Sequence, residues 1–170
     1  MIGRSPLGPA LIAAFALAGC VPASAPDGAK GAAGGVAVGP GPSVADGISA
    51  SGIFGQVCGT TAPGFGAAPA QLTKMPFRQH PTTGTYYHQN LDLSVKLMPK
   101  RCSMVFSSRD PAMELGIIMA AGIGGTSNDL GIDPATSATY RRGPKGTSFE
   151  FEPLGTANGR PMYRAVLIAP

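Results

Sequence analysis

Leu91-Asp92-Leu93-Ser94-Val95-Lys96-Leu97 alternates apolar and polar residues at every position, and this stretch decides the fold class. Successive side chains of a β-strand point to opposite faces of its sheet, so the alternation predicts a strand with one buried face. Met98-Pro99-Lys100-Arg101 has the composition of a turn, and Cys102 to Ser107 is predicted to return beside the first strand. The centre of the chain therefore forms an antiparallel hairpin.

A helix is predicted after this hairpin. Asp110-Pro111 is typical of a helix start, with Asp110 as the N-cap and proline at the first helical position. Leu115, Ile118 and Met119 follow at helical spacing, and Gly122 is a natural end for the helix.

Three further strands are predicted toward the C-terminus. Residues 138–142 and 147–152 form a hairpin, and residues 162–169 are apolar on both faces apart from Arg164, which indicates a central strand. The expected domain is α+β, with an antiparallel sheet of about five strands in the order β-β-α-β-β-β and helices on one face. This order is similar to PAS-like and profilin-like sheets, a likeness of topology that implies no ligand.

The N-terminus has the features of a targeting segment. Arg4 precedes the apolar run Ala10 to Gly19, and ten helical residues span only about 15 Å, half of a membrane core. A basic start followed by a short apolar run is typical of a secretory signal peptide. Leu17-Ala18-Gly19-Cys20 resembles the lipobox of bacterial lipoproteins. The alternative is an ordinary secretory signal that contains a cysteine by chance.

The lipoprotein resemblance implies cleavage after residue 19 and fatty acylation of Cys20, including palmitate. It also implies attachment to a membrane of the bacterial envelope. An aspartate after the cysteine retains lipoproteins of enteric bacteria at the inner membrane, and Val21 stands at that position. We therefore expect a protein anchored in the outer membrane and facing the periplasm.

Glycine and proline account for 25 and 17 of the 170 residues, and they are unevenly distributed. Val21 to Ala50 contains 8 Ala, 7 Gly, 4 Pro and 3 Ser, too little apolar area to offset the entropy of ordering. The predicted organisation is a signal peptide at 1–19, a lipidated cysteine and flexible tether at 20–50, and one domain at 51–170. The apolar fraction of 44% excludes disorder of the whole chain.

The three cysteines are expected to have two different roles. With Cys20 acylated, Cys58 and Cys102 remain in the domain, and an oxidising compartment favours a disulfide between them. That bond would close a loop of about 45 residues, worth roughly 4 kcal/mol in the chain-entropy model. The alternative is a redox-active or metal-binding thiol pair, but neither a C-x-x-C spacing nor a local histidine supports it.

Catalytic candidates are few. If the alternation extends backward, Tyr86, His88 and Asp92 share the polar face of the strand, which predicts a binding or catalytic row there. Four residues of strand place His88 and Asp92 roughly 13 Å apart, too far for a hydrogen bond, and a solvated strand face is the simpler interpretation. No motif implies a catalytic residue, a cofactor or a metal site.

Positive charge collects at turns, although the net charge is only +4. Arg141, Arg142 and Lys145 surround the second hairpin turn, and such cations either bind an acidic partner or suppress edge pairing between strands. No aromatic residues are interleaved with them, so nucleic acid is not expected.

These features together predict a small envelope lipoprotein with a non-catalytic binding or assembly role. Its partner would be another envelope protein or an acidic envelope glycolipid, bound through the basic turn or through Tyr86 and His88. The alternatives are a small periplasmic hydrolase or ligand-sensing domain that uses His88, and a purely structural envelope protein.

Overall fold

A computed structural model describes residues 38–124, 131–133 and 138–170, with the backbone alone described at 131–133 and 138–141. The predicted signal peptide, Cys20 and the tether up to residue 37 lie outside the described residues. Within the described part, an antiparallel sheet has helices packed on one face, which confirms the predicted α+β class.

The helices are α1 (Gly47–Phe54), which continues into a π-helical turn (Gly55–Gly59), α2 (Ala68–Leu72) and α3 (Ala112–Gly122). The strands are β1 (Phe77–Gln79), β2 (Tyr86–His88), β3 (Leu93–Met98), β4 (Arg101–Ser107), β5 (Gly131–Asp133), β6 (Ala138–Arg142), β7 (Ser148–Ala157) and β8 (Arg160–Ile168). They form one eight-stranded sheet in the order β1-β2-β3-β4-β8-β7-β6-β5.

All five predicted strands are present, and β8 lies between β4 and β7 as a central strand. The prediction missed β1, β2 and β5, each of which has three residues. Three residues are too few to display an alternating pattern, so these strands exist through pairing with their neighbours.

The domain begins before residue 51, which corrects the predicted end of the tether. The backbone N–H of Gly41 donates to the carbonyl of His88 at 2.9 Å, and Ala45 and Ala50 are at most 1% exposed. Asp46 caps α1 by accepting a 2.8 Å hydrogen bond from the backbone N–H of Ser49. Composition did not signal this packing because the buried side chains are small and contribute little apolar area.

Small residues let α1 approach α3 closely. Gly47 and Ser51 of α1 and Gly55, the first residue of the π-helical turn, are spaced four apart, so they lie on one side of this helical segment. The hydroxyl of Ser51 donates to the carbonyl of Ile118 at 2.8 Å, and a Cβ at Gly47 would lie 2.9 Å from the Leu115 side chain. The crossing therefore depends on residues that carry almost no side chain.

The core lies between these helices and one face of the sheet. Phe54 of α1 packs on Phe149 of β7 with ring centroids 5.9 Å apart, and Phe151 stacks on Tyr163 of β8 at 5.7 Å. The larger side chains that are fully buried around them are Leu72, Leu93, Met104, Phe106, Leu115, Met119 and Leu167. The core residues of each strand alternate along it, so they lie on the sheet face that packs against the helices of the described residues.

Candidate functional site

The predicted polar row does not exist as one face. Strand β2 ends at His88 and β3 begins at Leu93, and the chain reverses between them so that Tyr86 pairs with Val95 and Tyr87 with Ser94. Cross-strand partners share a face, so Tyr86 lies on the core side with the buried Val95. The prediction was wrong because it extended one alternation through a turn.

His88 is a buried turn residue and not part of a partner surface. His88 is only 7% exposed. Its Nδ1 accepts hydrogen bonds from the backbone N–H of Asn90 at 3.2 Å and from that of Leu91 at 3.0 Å. Phe77 lies edge-on to the ring at a centroid distance of 5.0 Å. Burial lowers the pKa of His88, since removal from water disfavours the charged imidazolium.

The ring of His88 therefore serves the β2–β3 turn. As an acceptor at Nδ1, the imidazole is the neutral tautomer with its proton on Nε2. Two backbone N–H groups that the turn would otherwise leave unpaired are satisfied by this one nitrogen. Of the two residues predicted to form a partner surface, Tyr86 is half-buried against the core and His88 is buried.

The basic turn is only partly free. Lys145 donates from Nζ to the carbonyl of Ala62 at 2.9 Å, which ties the turn between β6 and β7 to the segment after α1. Arg142 is exposed, beside a small pocket of about 110 Å³ lined by Ile123, Gly124, Arg142, Gly143 and Pro144. The side chain of Arg141 lies outside the described residues. Arg142 is consequently the better candidate contact at this turn.

The sheet face opposite the helices of the described residues carries mainly polar and charged side chains, with the apolar Val105, Val166, Met98 and Ile168 among them, and the sequence interpretation did not bring them together. We call it the open face, and cross-strand pairing places it in three rows: Arg78, Tyr87, Ser94, Val105, Arg164 and Glu152; Lys96, Ser103, Val166 and Glu150; and Met98, Arg101, Ile168 and Ser148. The alternation within each strand indicates which of its residues share a face. Which residues of neighbouring strands lie side by side depends on the register between strands.

Some cations of the open face form ion pairs with carboxylates and others do not. Arg164 pairs with Glu152 across β8 and β7, and Arg160, at the start of β8, pairs with Asp92 at 3.3 Å. Among the described residues, Arg78, Lys96 and Arg101 have no acidic partner within ion-pair distance, and Lys96 donates instead to the carbonyl of Thr83. The β1–β4 half of the open face is therefore positively charged.

Cys58 and Cys102 lie at disulfide-bonding distance, with Cα atoms 5.6 Å apart and a sequence separation of 44. Both residues are fully buried. The pair joins the π-helical turn to β4, so the early helical segment is held against the sheet.

Metal-binding clusters and membrane-spanning helices are both absent from the described ranges. Within residues 38–124, 131–133 and 138–170, no three His, Cys, Asp or Glu side chains are grouped so as to hold a metal ion. In the same part of the chain, no helix has the length and apolar character needed to cross a membrane.

No protein-family model, curated protein or solved structure matches this chain.

Proposed function

We propose that the chain is a lipid-anchored, non-catalytic accessory protein of the bacterial envelope, held in the outer membrane and facing the periplasm. The proposal rests on the different roles of the three cysteines. Cys58 and Cys102 are partnered within the domain, and the third cysteine, Cys20, ends the lipobox-like sequence Leu17-Ala18-Gly19-Cys20.

A buried cysteine pair supports export, because disulfides persist in oxidising compartments and are rare in the cytosol. The packed segment from Gly41 shortens the proposed tether to residues 21–40. Twenty residues of this composition span roughly 25 Å as a flexible chain, enough for the domain to reach partners close to the membrane.

A binding role is favoured over catalysis because His88, the histidine of the hydrolase alternative, is engaged in the fold, and the free cations of the basic turn within the described residues narrow to Arg142. His88 holds the β2–β3 turn through its acceptor nitrogen, and Lys145 is bound to the carbonyl of Ala62. Arg142 at the turn and Arg78 and Arg101 on the open face are instead exposed. The proposed partner is another envelope protein or an acidic envelope glycolipid that contacts this surface.

The anchor is tested on the mature protein by mass spectrometry and palmitate labelling. We expect an acylated N-terminal Cys20 and a crosslinked peptide that contains Cys58 and Cys102. The Cys20→Ala variant should lose label and leave the membrane fraction, whereas Cys58→Ala should keep the label. An unmodified Cys20, or an N-terminus at another residue, would contradict the lipid anchor.

The partner surface is tested by crosslinking in the intact envelope, followed by capture of the protein. Arg142→Glu should reduce capture of the partner, since it reverses the charge of an exposed side chain at the turn. Arg109→Glu is the matched control because Arg109 is also exposed and lies between β4 and α3. Equal capture by both variants would reject the basic turn as the contact.

A further inference from the structure

The positive half of the open face has a geometry that differs from a pocket for a small anion. Arg78, Lys96 and Arg101 stand on β1, β3 and β4, on the same side of the sheet. Neighbouring strands are about 4.8 Å apart, and alternate residues of one strand are about 6.8 Å apart. The backbones of Lys96 and Arg101 are therefore separated by about 8 Å, and Arg78 lies two strands away from β3.

Three cations spread over β1, β3 and β4 can each meet a different anionic group on an extended surface. The polar side chains that lie between these cations are half-buried, namely Tyr87, Ser94 and Ser103. The described carboxylate on this face without an ion pair is Glu150, which stands three strands from Lys96 in the same row.

The path of the chain places the tether at this half of the sheet. The N–H of Gly41 donates to the carbonyls of His88 and Leu91, both at 2.9 Å, and Ser43 bridges to Leu91. The chain thus enters the domain beside the β2–β3 turn, which belongs to the same half of the sheet. The positive half of the domain is therefore close to the point where the proposed tether begins.

We propose that the β1–β4 half of the open face docks on the anionic phospholipid headgroups of the membrane that holds Cys20. The proposal rests on the lipid anchor proposed above. Each Lys or Arg near an anionic leaflet strengthens association by about fivefold. The tether makes docking an intramolecular step at high effective concentration, so three weak contacts suffice.

The test uses the acylated mature protein in vesicles of brominated phosphatidylcholine, with and without brominated phosphatidylglycerol. The chain has no tryptophan, so a single introduced one reports its own surroundings. Tyr87→Trp places the reporter on the open face, and Ile117→Trp places it on the exposed side of α3, where Ile117 is 44% exposed.

We expect bromine to quench the tryptophan at position 87 in the anionic vesicles, and high salt to remove the effect. Added to the reporter, the double charge reversal Arg78→Glu with Arg101→Glu should lower the ratio of docked to undocked protein by at least about 30-fold, the loss expected from removing two cations. That change corresponds to about 2 kcal/mol. The matched double control, Lys74→Glu with Arg109→Glu, changes net charge equally outside the open face and should leave quenching intact.

Several results would overturn the proposal. Equal quenching in neutral and anionic vesicles, or equal loss in the two charge-reversed proteins, would show that headgroup charge is not recognised by this face. Quenching at position 117 in place of position 87 would show that the helical side meets the membrane. A protein that floats with the vesicles but stays unquenched at position 87 would contradict the docking proposal and leave the lipid anchor intact. A protein that fails to float with neutral vesicles would contradict the lipid anchor itself.

Discussion

The carboxylate of Asp110 accepts a 2.7 Å hydrogen bond from the backbone N–H of Gly47, the first residue of α1, 63 positions earlier in the chain. Asp110 thus stabilises the start of α1 across the helix pair, while Asp46 caps the same helix locally through Ser49. Both carboxylates lie at the positive end of the helix dipole. The packing of α1 on the domain is therefore coupled to the segment that leads into α3.

Asp110→Ala should destabilise the domain by about 1 kcal/mol, because a backbone donor at the N-terminus of α1 loses its acceptor. Urea unfolding followed by circular dichroism measures the change. Arg109→Ala is the control, since the neighbouring side chain is exposed and should alter stability by less than about 0.5 kcal/mol. Equal effects of the two substitutions would contradict a capping role for Asp110.

Gly55→Ala should destabilise the domain by roughly 1 to 3 kcal/mol, because the added Cβ would collide with the carbonyl of Gly122 in α3. Gly52→Ala provides a control in α1, since nothing lies within 4 Å of its Cβ position. That substitution should stabilise the domain by up to about 1 kcal/mol through helix propensity. Thermal unfolding of both variants tests the close crossing, which would be disproved if Gly55→Ala were also neutral or stabilising.

The free energy of unfolding should rise with pH up to about 6.5, the ordinary pKa of histidine. Burial lowers the pKa of His88 in the folded state, so between the folded and unfolded pKa values the unfolded chain binds more protons. This contribution is fully present above the unfolded pKa and is lost as the pH falls toward the folded one. His88→Gln should flatten the dependence, measured by urea unfolding between pH 5 and pH 8; an unchanged slope would show that another group is responsible.

Reduction of the cysteine pair should destabilise the domain by about 2 to 5 kcal/mol, because release of the closed loop increases the freedom of the unfolded chain. Unfolding in the presence and absence of a thiol reductant gives the difference. The double variant Cys58→Ala with Cys102→Ala supplies the control, since reductant should leave its stability unchanged. A similar response to reductant in this variant would place the effect outside the pair.

Local patterns in the sequence predicted most of the regular structure. The alternation of Leu91 to Leu97 and the turn at 143–146 led to strands that are present, and the apolar character of residues 162–169 indicated the central position of β8. The pairing of Cys58 with Cys102 was also anticipated. These features were predictable because side-chain direction, turn chemistry and the small number of cysteines depend on few residues.

Contacts between distant residues decided the rest. The chain reverses after His88, which moved that ring from an expected polar face into the core side and made it a turn acceptor. Asp110 was expected to cap its own helix, yet α3 starts at Ala112 without a side-chain cap and the carboxylate bonds to Gly47. Residues 41–50 joined the domain through close approach of small side chains.

The open face also combines features predictable from the sequence with features that depend on the tertiary structure. Each strand by itself determined which of its residues alternate, whereas the pairing of β1 through β4 brought Arg78, Lys96 and Arg101 to one side. Register cannot be read from a single strand, because it is selected by the joint burial of all the strands against the helices. The sequence alone thus determined α3, the five longer strands and the cysteine pairing, and the tertiary structure decided which side chains are exposed together and which support the fold.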